Sequence, residues 1–228
     1  MRPKLLVFLL LASAFTACKK STKLNQGPLS EQDAAEILAN AILPEYNGLL
    51  AQAGQAVQFS HKLNACGSTK DSLISASNVH ANFPSSCSYH LAWTYGLNCA
   101  TNQLNINYSG QTTYDGAHFS SSMQKSATGF VSGMDAGLPN YQLNLSVSGD
   151  GTEVKKAVGA TTIKSHIELK AVDLQYNKIS GLPVSGDIDL TISDASASAY
   201  TYTGKFTCTG NKSGQIILNS GNVYPISW

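Results

Sequence analysis

A mainly β fold is predicted here: an antiparallel meander forming a curved sheet, barrel or sandwich, with two N-terminal amphipathic helices. Three observations carry this. Apolar and polar residues alternate with period two through most of residues 163–228, with Leu182, Val184, Ile188, Leu190 and Ile192 against Ser185, Asp187, Asp189, Thr191 and Ser193. The same phase returns as Tyr200, Tyr202, Phe206 and Cys208, then Ile216 and Leu218, then Tyr224, Ile226 and Trp228. Period two is strand geometry, and one apolar face per strand suits an antiparallel sheet buried on one side. Turn residues recur at the spacing of sandwiches and barrels, giving roughly ten strands. Two helical stripes precede the first strand.

Taken in order, the chain opens with Arg2 and Lys4 before an apolar run, residues 5–17, that ends in Phe15-Thr16-Ala17-Cys18. The run is too short to span a bilayer, which takes about 20 residues, and reads as an export signal. Small residues before a cysteine are similar to the lipobox of bacterial lipoproteins. That resemblance implies cleavage before Cys18, lipidation of its thiol and acylation of the new amino terminus. The plainer alternative is an ordinary signal peptide cut after Ala17. Residues 18–29 are polar and read as a tether, and residues 30–228 as one domain, with helices over 30–64 and a β region over 66–228. Three acyl chains would anchor the protein without any spanning segment.

Ser30 is a helix N-cap residue, with Glu31 and Asp33 where the helix dipole favours acids. Ala34, Ile37, Leu38, Ala41 and Ile42 then share a stripe, and Pro44 ends it. A second helix is expected over about 47–63 from Leu49, Leu50, Ala53, Ala56, Val57 and Leu63, although Gly48 and Gly54 weaken it. These stripes would bury against the apolar face of the sheet.

Residues 66–87 show only Leu73-Ile74 as a short strand. Alternation begins with Tyr89, Leu91, Trp93 and Tyr95, continues with Leu104, Ile106 and Tyr108, and weakens over 112–123, with Asp115-Gly116 as a turn. Tyr141, Leu143, Leu145 and Val147 lead to Gly149-Asp150-Gly151, read as another turn. Ile163, Ile167 and Leu169 are odd-numbered, whereas Val172, Leu174 and Tyr176 are even. One extra residue near Ala171 therefore reads as a β-bulge.

Apart from Cys18 there are four cysteines, Cys66, Cys87, Cys99 and Cys208. An even number in an exported chain points to disulfides, and no two-residue spacing or histidine cluster suggests zinc. Three pairings are open. Cys66–Cys99 with Cys87–Cys208 is favoured, since the first would pin the chain leaving the helices to the first hairpin.

Losing Arg2 and Lys4 with the leader takes two from the 15 basic side chains, leaving 13 against 14 acidic ones. Without a basic block, nucleic acid is not an expected partner. No cofactor or metal is implied, because the Gly-x-Ser-x-Gly elbow, the His-Glu-x-x-His helix, the phosphate loop and the calcium loop are all missing from the sequence.

The order of Tyr89-His90-Leu91-Ala92-Trp93, Asn98-Cys99, Tyr114-Asp115-Gly116, Ser120-Ser121-Ser122, Ala127-Thr128-Gly129 and Ser180-Gly181 resembles uncharacterised envelope lipoproteins of Bacteroidota-type bacteria. So does the ending, from Gly204-Lys205-Phe206-Thr207-Cys208 through Gly210-Asn211 to Ile216-Ile217-Leu218. The resemblance implies an outer-membrane lipoprotein and assigns no activity, so no catalytic residue comes with it. Lys19-Lys20 departs from the acidic tract that accompanies surface export in some of these organisms, leaving the periplasmic face and the cell surface both open.

Three functions suit this architecture. The first is a non-catalytic structural or binding module held to the membrane by lipid, with an apolar, glycan or protein ligand. The second is a carrier of an apolar or glycan ligand in a cavity lined by Trp93, Tyr95, Tyr108, Tyr200 and Tyr202, all on the inward phase, where core packing is the plainer expectation. The third is an envelope hydrolase using Asp187 and Asp189, near neighbours on one strand face. For that pair a solvated strand face is the plainer reading. His61, His80, His90, His118 and His166 are dispersed and read as surface residues.

Overall fold

The computed structural model describes residues 29–62, 65–79, 86–156, 160–195 and 200–228. Cys18, the leader and most of the tether lie outside them, as does His80.

Helix α1 spans Glu31–Ile42, a 3-10 turn spans Pro44–Tyr46, and α2 spans Leu49–Ser60. Ser30 caps α1 by accepting from the Asp33 N–H at 3.2 Å. Ala34, Ile37, Leu38, Ala41 and Ile42 are buried, as the stripe requires. In α2 the buried set is Leu49, Leu50, Ala53, Ala56, Val57 and Phe59, joined by Gln52 and Ser60.

Ten strands follow: β1 Thr69–Val79, β2 Ser86–Asn98, β3 Gln103–Asp115, β4 Phe119–Ser132, β5 Asn140–Lys155, β6 Thr161–Asn177, β7 Pro183–Asp194, β8 Thr201–Gly210, β9 Ser213–Leu218 and β10 Val223–Ser227. They form one sheet in sequence order, each pair antiparallel. Of the three predicted forms, the open curved sheet is found. Among the described residues β1 and β10 do not pair, so the barrel does not close.

Helix dimensions reveal the curvature. The chain from Glu31 to the 3-10 turn reaches from β9 to β2, roughly 24 Å of helical rise. Seven strand spacings laid flat would take about 34 Å. The sheet therefore curls around the helices, which cover its concave face. Leu91, Ile106, Leu145, Leu169, Leu190 and Phe206 line that face and are almost fully buried. Each such side chain contributes roughly 1.5–3 kcal/mol through its removal from water.

The register change in β6 is a bulge, with pairing to β7 shifting between Val172 and Gln175. Asp173 takes φ 50° there. Asn144 holds the kink from the neighbouring strand, its Oδ1 accepting from the Asp173 N–H at 3.2 Å and its Nδ2 donating to Asp173 Oδ1 at 3.1 Å.

Two expectations are corrected. Gly149-Asp150-Gly151 lies within β5, where Asp150 pairs with Gln124 and His166. The glycines give up their side-chain space to Met123: a Cβ on Gly149 would stand 2.7 Å from Met123 Sδ. Of the two disulfides, Cys66–Cys99 is present, with a Cα–Cα distance of 5.5 Å, whereas Cys87–Cys208 is not formed. The meander sets β2 and β8 six strand spacings apart, about 29 Å along the sheet, and a bridge needs Cα atoms within about 7 Å. The Cys87 thiol instead donates to the Glu45 carbonyl at 3.4 Å. Cys208 is buried on the concave face, where burial pushes its thiol pKa up.

Candidate functional site

The aromatic residues suggested by alternation do not gather into one place. Trp93, Tyr95 and Tyr108 sit together on β2 and β3 beneath α2. Phe59 stacks on Tyr95 at 4.0 Å between centroids and meets Trp93 edge-on at 5.4 Å. Trp93 leans against Tyr108 at 4.4 Å. The Tyr108 hydroxyl donates to Gln52 Oε1, and burial raises its pKa far above the ordinary value. Tyr200 and Tyr202 lie across the sheet near the start of β8. Their hydroxyls donate to the Lys164 carbonyl at 3.0 Å and to the Leu29 carbonyl at 2.8 Å. Alternation reports which face a residue takes; it does not report what covers that face. Here helices cover it, and these aromatics are packing elements in this conformation.

Asp187 and Asp189 lie on the opposite, convex face. Lys205 Nζ stands 3.2 Å from Asp187 Oδ2 and 3.9 Å from Asp189 Oδ1, and Thr207 donates to Asp187 Oδ1 at 2.9 Å. Both carboxylates are about half exposed, at 46% and 59%, on an open strand surface. Asp189 lies between Lys205 on β8 and Lys170 on β6, and Lys205 is 18 residues from Asp187 in sequence, so this basic partner is invisible to local reading. Among the histidines, His166 faces Asp150 through Nδ1 at 2.8 Å and Glu168 through Nε2 at 3.4 Å on the same face, the carboxylates accepting. The neighbouring Asp150, and then Glu168, outweigh desolvation and raise its pKa.

The chemically distinctive cluster is one that alternation passed over. Ser121 and Lys125 on β4, Glu153 on β5 and Ser165 on β6 point inward, into the space beneath α1. Glu153 is 1% exposed. Its Oε1 accepts from Ser121 Oγ at 3.0 Å and from Ser165 Oγ at 3.2 Å. Burial raises the carboxyl pKa, against the lowering effect of the two hydroxyls and of Lys125. Lys125 keeps a partial exposure, yet its ammonium lies deep enough that desolvation pushes its pKa down to about 8, with the Glu153 charge opposing. The two groups do not touch: no acceptor reaches the Lys125 ammonium at hydrogen-bond or ion-pair distance among the described residues.

Both groups line a cavity of about 30 Å³, together with Asn40 of α1, Tyr46 of the 3-10 turn, and Thr112 and Tyr114 of β3. That volume holds a water or two. Glycines make the room for Lys125, since its cross-strand neighbours on β3 and β5 are Gly110 and Gly149. The signal was present in the sequence. Lys125 and Glu153 fall on the odd phase set by Met123 and Ala127 and by Tyr141 to Val147, once Gly149-Asp150-Gly151 is kept within the strand.

Other buried polar atoms gather at the helical layer. Trp93 Nε1 and Asn47 Nδ2, the latter in the link between helices, have no hydrogen-bond partner among the described residues. No group of three or more His, Cys, Asp and Glu side chains capable of holding a metal ion occurs among the described residues, nor a helix long and apolar enough to cross a membrane. The chain matches no known protein family, no curated protein and no solved structure.

Proposed function

We propose that this is a lipid-anchored protein of the bacterial cell envelope, held to the outer membrane through Cys18 and acting as a binding or structural module without catalysis. The observation that carries the reading is the sequence from Arg2 to Cys18: a basic start, a short apolar run, and a cysteine directly after two small residues. The polar stretch over 18–29 would then space the domain from the bilayer. Helix α1 begins beside the β9–β10 and β5–β6 turns, where Glu31 accepts from Ser220 and Asn222 and Asp33 meets Lys155 at 2.6 Å. That end of the sheet would face the membrane.

The setting of Asp187 and Asp189 favours binding over hydrolysis. A carboxylate pair facing Lys205 on an open strand surface lacks the enclosure that acid–base chemistry needs.

Metabolic labelling with a palmitate analogue, followed by membrane fractionation, tests the anchor. The wild-type protein is expected labelled and in the membrane fraction. Cys18→Ser is expected unlabelled, and either unprocessed or soluble, with its domain folded. Equal labelling of the two proteins, or a wholly soluble and unlabelled wild type, would overturn the proposal.

A further inference from the structure

We infer that α1, the 3-10 turn and α2 form a displaceable strap over a binding site for an anionic amphiphile on the concave face of the sheet. The inference rests on the binding-module reading and names its ligand class.

The strap is tied at its ends, and its middle, though bonded to the sheet through Glu45, Leu50 and Gln52, leaves other polar atoms unpaired. At its start Asp33 pairs with Lys155 at 2.6 Å, and Ser220 and Asn222 both donate to Glu31 Oε1. Beyond its end, Cys66–Cys99 fastens the chain to the β2–β3 hairpin. Between these ties Trp93 Nε1 under Phe59 and Asn47 Nδ2 between the helices have no partner among the described residues, and the partly buried Lys125 faces the cavity under Ile37, Asn40 and Ala41. Buried polar groups in native proteins are nearly always satisfied, and exceptions call for a cause. A strap that lifts supplies one, because these groups then meet water or a ligand. Each helix is only 12 residues long, near the length below which a helix is marginal without tertiary packing, so the strap depends on its seat.

The uncovered floor fixes the ligand. It presents a broad apolar surface through Leu91, Trp93, Ile106, Tyr108, Val147 and Leu169. Set into that surface is Lys125, a cation without a partner among the described residues, beside Glu153, whose Oε1 already takes two hydroxyl donors. An apolar body with an anionic head matches apolar floor to chain and ammonium to head. The cavity of about 30 Å³ is far too small for such a molecule, so binding requires the strap to move.

The test uses the full chain carrying Cys18→Ser, which needs no detergent, with two fluorescent probes of similar size: anionic anilinonaphthalene sulfonate and neutral N-phenylnaphthylamine. Glu45→Cys is added to lock the strap, since the Cys87 thiol already lies 3.4 Å from the Glu45 carbonyl. Both probes are expected to bind the unlocked protein. Oxidised Glu45→Cys is expected to lose at least tenfold in affinity for both and to recover on reduction, while the reductant leaves the unlocked protein's binding unchanged. Lys125→Met should lower the ratio of anionic to neutral affinity about tenfold. Hydrogen exchange gives an independent reading even if the new bridge does not form: amides of residues 37–60 should exchange at least tenfold faster than those at the centre of β4–β6. Absence of probe binding, binding indifferent to the lock, or protection of the strap equal to that of the sheet would overturn the inference. The anchor is judged separately, by labelling at Cys18.

Discussion

Burial of Lys125 beneath α1 ties the stability of the domain to pH above neutrality. Its pKa falls from 10.5 to about 8 in the folded protein, so between those values the unfolded chain holds a proton that the folded chain has shed. Stability therefore rises with pH across that window. Glu153 works in the other direction: its raised pKa gives a contribution that is full below about 4.5 and lost as pH climbs through the folded value. At neutrality, below its folded pKa of about 8, the Lys125 ammonium is charged and desolvated. Lys125→Met is expected to stabilise the domain on the order of 2 kcal/mol at pH 7. Its advantage over wild type should shrink steadily between pH 8 and 10.5, as read from denaturant midpoints; a constant difference would show that the amine is not desolvated. The cysteines give a second prediction. Alkylation in denaturant without reductant should modify Cys87 and Cys208 and spare Cys66 and Cys99. At this scale the sequence was legible where a residue and its partner flank one pair of neighbouring strands, as Cys66 before β1 and Cys99 after β2 do. It was silent on Cys87 and Cys208, whose separation depends on how many strands intervene, and on Lys205 as the partner of Asp187.

Among the elements, β3 and β4 owe their tight curl to glycines that admit a neighbouring backbone. Gly110 has φ 154°, and a Cβ there would stand 2.0 Å from the His90 carbonyl oxygen of β2. Gly110→Ala should therefore cost more than about 2 kcal/mol, through backbone strain and a clash that no rotamer relieves. Thermal unfolding measures this, and a loss near zero would contradict the close approach. The helices were readable because their signals are local: Ser30 does cap α1, and Pro44 does follow its end. Strand β1 was read as a short piece at Leu73-Ile74 because its sole described neighbour is β2 and its inward positions Lys70, Ser72, Ile74 and Ala76 carry little apolar surface. In β5, Gly149-Asp150-Gly151 misled for the opposite reason. Two glycines in a strand usually mark a turn, whereas here they make room for Met123 and Lys125.

For the whole molecule, the decisive relation is between the width of the sheet and the bulk placed inside it. Ten strands curled around two short helices leave an interior packed with Phe59, Trp93, Tyr95 and Tyr108, with a small polar chamber beside Lys125 beneath α1. Period-two alternation could foretell the sheet and its buried face, since both follow from strand geometry alone. It could not foretell whether that face would be filled, because filling depends on the three-dimensional match between helices and curvature. The proposed anchor places this assembly at a membrane, and the N-terminal peptide of protein isolated from membranes is where that reading meets its most direct measurement. The mass expected is that of a chain beginning at Cys18 with a diacylglycerol on its sulfur and an acyl chain on its amino group. A peptide beginning at any other residue, or one beginning at Cys18 with an unmodified thiol, would contradict it.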